Sequence, residues 1–425
     1  MDLIPPKIQR MLMLLNQKKD VDFAARLGGI GKLNAAKRLR TRKTTTSGSV
    51  EKIWERLLAD TPAGEAEKDE IADARSVERV ETYNANIENY IGTIEMPVGV
   101  VGPIRVNGTN ANGDYFAPLA TTEAALVASY ARGAEITNAV GGISTALLSD
   151  GLMRGPAFIF KNVFESGHFV NWVSQNVQAL KETAESTTNH GKLVSIEPFI
   201  ESDTVFLLCC YETGDASGQN MVTVATQKVC EHIIEACPIE PIHWFIEANF
   251  SSDKKATFMA LHSGRGRKVT ASVELPDKVI RRYLGTDTKT LLKYCRTANI
   301  GAMLSGQFGV QAHYANALAA FYIATGQDAA CVAESSMGFT RMEPRNGGLF
   351  ASVTLPSIMV GTVGGGTGLP SQSAALSIVG LKGTGQAKAL AELVAALCLC
   401  GEISILGAIA AGHFTRAHTK LARHR

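Results

Sequence analysis

Four segments carry more polar and glycine residues than core packing requires. In ATTEAALVAS (120–129), Glu123 falls in the first turn of a predicted helix, 122–136, with Thr121 or Thr122 as its cap. A carboxylate there either complements the helix dipole, worth about 0.3–1 kcal/mol, or acts as a general acid. Asp253-Lys254-Lys255 follows an extended stretch. Adjacent lysines are ordinarily solvated, but a lysine beside a carboxylate can also hold a developing oxyanion. GDASGQNM (214–221) and GTVGGGTG (361–368) are small-residue loops that each run into a predicted helix. Exposed N–H groups at a helix start bind phosphate. Neither loop continues into GK[ST], and neither sits in a strand–GxGxxG–helix unit, so each is equally readable as a tight turn. The histidines at 168, 190, 232, 243, 262, 313, 413, 418 and 424 form no HExxH. His413 and His418 are five apart and lie on different faces of a helix, which argues against a metal pair.

The elements that must position these residues are legible in outline. Residues 1–84 read as a small helical domain. Ile8, Met11, Leu14 and Leu15 have helical spacing. The first 56 residues hold 13 Lys/Arg against 5 Asp/Glu, and Lys37–Lys43 is a basic run, whereas 60–81 is acidic. The basic run reads as a solvated face or subunit contact before it reads as a nucleic-acid patch. From about 85 the texture changes: MPVGVVGPIRVNG (96–108) is strand-like, and 141–156 reads as loop and helix. Residues 157–245 alternate strand AFIFKNVF, a helix near 167–185, strands VSIEPFIES and VFLLCCYET, and a helix over 219–236. That is a small α/β unit inserted into a larger one, 85–156 plus 246–425. Strand signals return at 256–275, and long small-residue helices follow. The fold class is α+β.

A chain of 425 residues, 45% hydrophobic and 19% charged, has ample material for a core and implies two or three domains. Its net charge of +2 argues against a dedicated nucleic-acid or membrane-surface protein. Eight cysteines without a zinc-type CxxC read as reduced thiols of a cytoplasmic protein. The first twenty residues lack the apolar stretch of a signal peptide. Thr297–Gln327, free of Asp, Glu, Lys and Arg, reads as buried core, as does the alanine-rich 389–412, which Glu392 and Glu402 interrupt.

Taken together, IENYIG (87–92), MPVGVVGP (96–103), ATTEAALVAS, DGLMRGP (150–156), DASGQNM (215–221), SDKK (252–255), HYANALAAFYIATGQDAA (313–330), LPSIMVGTVGGGTGLPSQ (355–372) and AAGHFTRAH (410–418) resemble the catalytic portion of class I 3-hydroxy-3-methylglutaryl-CoA (HMG-CoA) reductases, in a soluble form. The resemblance runs from about Ile87 to the C-terminus. It implies reduction of HMG-CoA to mevalonate and CoA, as in isoprenoid biosynthesis, with two equivalents of NADPH or NADH. It assigns catalysis to Glu123, Lys254, Asp328 and His418. The lysine would stabilise the thioester oxygen, the histidine protonate the thiolate, and the glutamate, kept protonated by burial or a like charge, protonate the aldehyde oxygen. It assigns the substrate carboxylate to Arg154 and Lys255, with Asn249, Asp253 and Asn316 nearby. The dinucleotide falls to Asp215, Ala216, Gly218, Asn220, Met221, Gly361, Thr362, Val363, Gly364, Gly365 and Arg423. It makes 157–245 a ferredoxin-like cofactor domain, IENYIG a dimer contact, and the protein a homodimer or homotetramer with its site between subunits.

The sequence also departs from that family. Ser166-Gly167-His168 stands where an Arg beside a Ser would clamp a 2′-phosphate, so NADH is plausible. Glu247 replaces a serine near the acid substrate, and Ala131, Glu135 and Gly285 replace CoA contacts. Losing cations there should cost affinity. His424 stands at the family's regulatory phosphoserine position. Two other readings therefore stay open: the same hydride chemistry on another acyl-CoA or carrier-bound thioester, and a non-catalytic binding or assembly protein.

Overall fold

Thr46 opens the first continuous stretch with a reciprocal cap, its Oγ1 accepting from Ser49 N–H while Ser49 Oγ accepts from Thr46 N–H. The computed structural model describes residues 45–413, with Pro5, residues 8–11, Met13 and Leu39. Leu14 and Leu15, the basic run apart from Leu39, and His418, Arg423 and His424 lie outside the described residues. Ile8 and Met11 are helical as their spacing predicts.

Two compact units divide the chain, Met1–Ile94 and Glu95–Arg425. The first holds α1 (Ser47–Asp60), α2 (Glu65–Ile71) and α3 (Ala74–Glu78). Val50, Trp54, Val80 and Tyr90 form its core. Trp54 Nε1 donates to the Ile91 carbonyl at 2.7 Å, and Tyr90 stacks on Tyr83. Residues 87–92 therefore belong to this unit, and its boundary falls at Ile94 rather than at the expected 84.

The second unit opens with an antiparallel hairpin, β1 (Val98–Gly108) and β2 (Asn112–Ala120), followed by α4 (Leu126–Asn138) and β3 (Ile143–Arg154). β3 departs from the expected loop and helix. Its first part pairs with a strand 120 residues away, and its last three residues pair with the inserted unit. Such non-local partners override the local glycine punctuation.

The insertion runs β4 (Ala157–Ile159), α5 (Val163–Gln175), α6 (Val177–Glu185), β5 (Lys192–Glu201), β6 (Thr204–Glu212), α7 (Gln219–Ala236) and β7 (His243–Phe245). Its strands lie in the order β7-β4-β6-β5, all neighbours antiparallel. This βαββαβ arrangement is the ferredoxin-like topology.

The chain then forms α8 (Phe258–Ser263) and β8 (Gly266–Pro276), so the strand expected from 256 starts ten residues later. Next come α9 (Asp277–Leu284), α10 (Thr288–Ser305), β9 (Gly309–Val310), α11 (Tyr314–Thr325), α12 (Val332–Ser335), β10 (Gly338–Arg345), β11 (Gly348–Ile358), α13 (Pro370–Val379) and α14 (Ala387–Ala410). The sheet continues β3-β8-β11-β10-β9.

α14 is long and apolar enough to cross a membrane by length and composition, yet it is buried along nearly its whole length. Gly133 lets α4 cross it closely, since a Cβ there would sit 2.0 Å from the Cys400 carbonyl oxygen. Its two carboxylates are satisfied by distant partners. Glu392 accepts from Asn110 and Ala111 N–H and from Thr145 Oγ1, and Glu402 from Ala312 and His313 N–H and from Thr340 Oγ1. Burial acts upward on the Glu392 carboxyl, but these donors outweigh it and hold it below the usual range. The uncharged stretch 297–327 divides. α11 is buried, as expected, but Ile300, Met303, Leu304 and Phe308 are exposed, which corrects the reading of the whole stretch as core. All eight cysteines are free.

Candidate active site

The loop after β7 carries three non-glycine residues with left-handed backbone: Asn249 (φ 62°), Ser252 (φ 62°) and Lys254 (φ 56°). Each such residue costs on the order of 1 kcal/mol or more and persists only where its surroundings fix it. Here they do. Ser252 Oγ accepts from Thr257 Oγ1 at 2.6 Å, Ser251 is buried with Oγ on Glu247, and Asp253 is held by two arginines. The turn presents Lys254 Nζ to Asp328 Oδ2 at 2.8 Å. The contact with Asp328 raises the Lys254 ammonium above its usual range. On Asp328 partial burial acts upward, but Lys254 and the Ala330 N–H outweigh it, leaving the carboxyl low. The pair is therefore charged across the neutral range.

Asp328 caps a short 3-10 turn, Ala329–Cys331, after the end of α11. Its neighbour Gln327 clamps Gly361 from both sides, accepting from its N–H at 2.7 Å and donating to its carbonyl at 3.0 Å. Gly361 opens the small-residue loop, and a Cβ there would lie 2.6 Å from Ser217 N. Thr362 N–H donates to the Asp215 carbonyl. The Lys254–Asp328 pair and both glycine-rich loops thus form one contiguous region.

The two loops can cradle an anion. α7 starts at Gln219 as expected, behind Gly218 (φ 80°), and no side chain caps it, so its first N–H groups are open. Gly364 and Gly365 are exposed, with nothing within 4 Å of where a Cβ would be. Asn220 is exposed; Met221 is half-buried, its Sδ accepting from Thr188 Oγ1. Ala216 and Val363 are half-buried and Thr362 is buried. Asp215 differs from expectation. Its carboxylate accepts from Gly385 N–H at 2.7 Å and Ala387 N–H at 3.1 Å, tying this loop to the start of α14.

Glu123 is not in a helix. α4 begins at Leu126 behind Ala125 (φ 69°), and Thr121 Oγ1 instead accepts from Glu123 N–H within the preceding loop. The carboxylate is exposed, and Asn316 Nδ2, from the start of α11, donates to it at 3.4 Å. The burial expected to keep this acid protonated is not supplied by the chain's own described residues.

Arg154, at the end of β3, also departs from expectation. It is 6% exposed, and its Nη1 lies 3.3 Å from both Glu247 Oε2 and Asp253 Oδ2. Asp253 Oδ1 meets Arg265 Nη2 at 2.8 Å, and Arg265 Nη1 meets Glu334 Oε1 at 2.6 Å, both of those side chains being fully buried. Arg265 also donates to Gln219 Oε1. It therefore joins the Lys254 loop, the start of α7 and the segment after Asp328. Sequence reasoning missed Arg265, Glu334, Gln219 and Gln327. The one available signal was GRGRK (264–268), two arginines among glycines at a strand start. Lys255 is exposed, its Nζ donating to the Asp253 carbonyl, and Asn249 is exposed.

Of the departing positions, Ser166 is fully buried on α5 while Gly167 and His168 are exposed. Glu135 is exposed on α4, and Gly285 ends α9 with φ 67°, a backbone that favours glycine.

An α+β unit with a ferredoxin-like insertion, and a lysine–aspartate pair set against two glycine-rich loops, defines the class of molecule. The chain belongs to the hydroxymethylglutaryl-coenzyme A reductase family, whose model matches residues 52–423. It is 41% identical over 350 residues to the 3-hydroxy-3-methylglutaryl-coenzyme A reductase of Methanothermobacter thermautotrophicus, covering 82% of this chain and 88% of that one. The Methanocaldococcus jannaschii reductase is 42% identical over 353 residues, covering 82% and 87%. In fold, the chain is similar to the class II reductase of Streptococcus pneumoniae solved with NADPH in open conformations. That match has TM-score 0.62 and 18% identity and covers 86% of this chain and 98% of that one.

Proposed function

We propose that the chain reduces (S)-3-hydroxy-3-methylglutaryl-CoA to mevalonate and CoA with two equivalents of NAD(P)H. The observation that carries this is the Lys254–Asp328 pair at 2.8 Å on a strained turn, contiguous with two loops suited to a dinucleotide. Relatives bearing that name and covering most of both chains support it.

When bound, the reduced nicotinamide supplies the hydride of each reduction. Lys254 Nζ, cationic throughout the neutral range, stabilises the oxygen that gains charge at the thioester carbon, and Asp328 holds the ammonium in place. Glu123 gives a proton to the aldehyde oxygen, with Asn316 orienting it. His418 protonates the departing thiolate. Asn249, Asp253 and Lys255 surround the acyl group, and Arg154 is engaged by Glu247 and Asp253. The open N–H groups of α7 and the 361–365 loop hold the pyrophosphate, which makes 157–245 the cofactor domain and 95–156 with 246–425 the substrate domain. Arg423, outside the described residues, is assigned to the dinucleotide by the resemblance alone. Glu123's exposure fits a homodimer or homotetramer in which a second copy covers the acid. The protein is read as cytoplasmic.

Oxidation of NADPH and NADH at 340 nm, in parallel with HMG-CoA, tests the reading, with Lys254→Ala as control. Saturable turnover that falls by about 10²–10³ in the variant is expected. No turnover from folded protein, or full activity in Lys254→Ala, overturns it. A different acyl thioester is the second reading, favoured by the carboxylates already on Arg154 and by exposed Glu135 on α4.

A further inference from the structure

Resting on the proposed thioester reduction, we infer that Glu247 withholds Arg154 from the substrate. Lys255 is then left as the cation that meets a distal carboxylate, and the chain discriminates only weakly between acyl thioesters with and without one.

The argument is one of donor accounting. A guanidinium has five N–H donors, and a carboxylate is gripped by two that point the same way. Arg154 Nη1 is shared between Glu247 Oε2 and Asp253 Oδ2, both at 3.3 Å. Its Nη2 donates to the Gln219 carbonyl at 3.3 Å and Oε1 at 3.4 Å. Only Nε lacks a partner, and it is buried. Every donor pair that could form a fork therefore includes a nitrogen already engaged.

The engaged carboxylates are not equally removable. Asp253 is pinned from behind by fully buried Arg265 at 2.8 Å. Glu247 is the more exposed of the two, with a side chain 26% accessible. Its Oε2 is shared among Arg154, Ser251 Oγ at 2.8 Å and Gly155 N–H at 3.3 Å, while its Oε1 is buried without a partner. A substrate carboxylate that took the Nη1–Nη2 fork would compete with Glu247 Oε2 at Nη1, the contact that a shorter side chain at 247 would release. Lys255 faces no such competitor. It is exposed, its Nζ donates to the Asp253 carbonyl, and no carboxylate pairs with it among the described residues. An ammonium is a point charge rather than a fork, so it reads a carboxylate with less geometric selectivity.

The test compares HMG-CoA with 3-hydroxy-3-methylbutanoyl-CoA, which lacks the distal carboxylate, in native protein and in Glu247→Ser and Glu247→Gln. The expected result is a ratio of kcat/KM values that favours HMG-CoA by about tenfold or more over the native ratio in Glu247→Ser, carried mainly by KM. Glu247→Gln, which keeps the shape and removes the charge, moves the ratio the same way by less and serves if the serine variant does not fold. An unchanged or lower ratio overturns the inference. A second arm does not depend on turnover. Free 3-hydroxy-3-methylglutarate should raise the melting midpoint of Glu247→Ser more than that of native protein. Adding Lys255→Ala should abolish the native shift and leave part of the Glu247→Ser shift. Equal shifts in native and Glu247→Ser proteins overturn the inference. Native protein that reduces neither thioester overturns the functional reading, and the second arm then decides the inference separately.

Discussion

Arg265→Met should destabilise the protein in a way that depends on pH. Arg265 and Glu334 are both fully buried and meet at 2.6 Å. Breaking a buried pair from one side costs about 3–5 kcal/mol, because the other charge stays behind unpaired. Burial pushes the Glu334 carboxyl up to about 6, against the opposing pull of Arg265. Its folded-state value lies above the unfolded 4.5, so the folded chain binds the proton more tightly. The stability this proton gives is present below 4.5 and lost as pH rises through the folded value. At about 1.36 kcal/mol per pH unit, the native protein loses about 2 kcal/mol from this group between pH 4.5 and 7. Without the guanidinium the carboxyl rises further, and the loss extends to higher pH. Denaturant unfolding at pH 5.5 and 8 should therefore show Arg265→Met weakened by about 1–2 kcal/mol at the lower pH and about 3–5 at the higher. Glu334→Gln, which keeps an acceptor for Arg265, should flatten the pH dependence. A penalty in Arg265→Met that is equal at both pH values, or below about 1 kcal/mol at pH 8, would refute the reasoning.

Two further expectations concern the cofactor region. Gly361→Ala puts a Cβ 2.6 Å from Ser217 N and 3.0 Å from the Ala216 carbonyl carbon, both backbone atoms. The two glycine loops must separate, and NADPH affinity, read by fluorescence titration, should fall by about tenfold or more; unchanged affinity counts against the paired-loop site. Ser166 is fully buried, leaving exposed His168 as the group at that position able to meet a 2′-phosphate, so kcat/KM for NADPH and NADH should agree within about tenfold. A preference near a thousandfold would show that a cation elsewhere reads the phosphate.

The sequence by itself determined a good deal. Local chemistry marked α7, because a glycine-rich loop followed by a long helical period has one reading at each end, and it begins and ends where expected. The strand–helix–strand–strand–helix order of 157–236 was visible because its elements are short and bounded by turn residues, whereas the closing strand His243–Phe245 and the break of the first helix at Asn176 emerged only in the fold. Lys254 and Asp328 were named singly through motif resemblance, seventy-four residues apart.

Tertiary structure decided the rest, and the reason is the same in each case: the partner lies far along the chain. β3 read as loop and helix because its ladder partners are β8 and β6. Glu123 read as the first turn of a helix, but Ala125 in the left-handed region delays α4 to Leu126. The helix that holds Glu392 and Glu402 read correctly as buried core, but the donors that satisfy its two carboxylates come from segments some ninety or more residues away and emerged only in the fold. Arg154 read as a contact for the substrate carboxylate, and Glu247 as the replacement of a serine near the acid substrate, until the fold brought them to 3.3 Å. A side chain's type is written in the sequence, but whether its hydrogen bonds are already taken is a property of the packed chain.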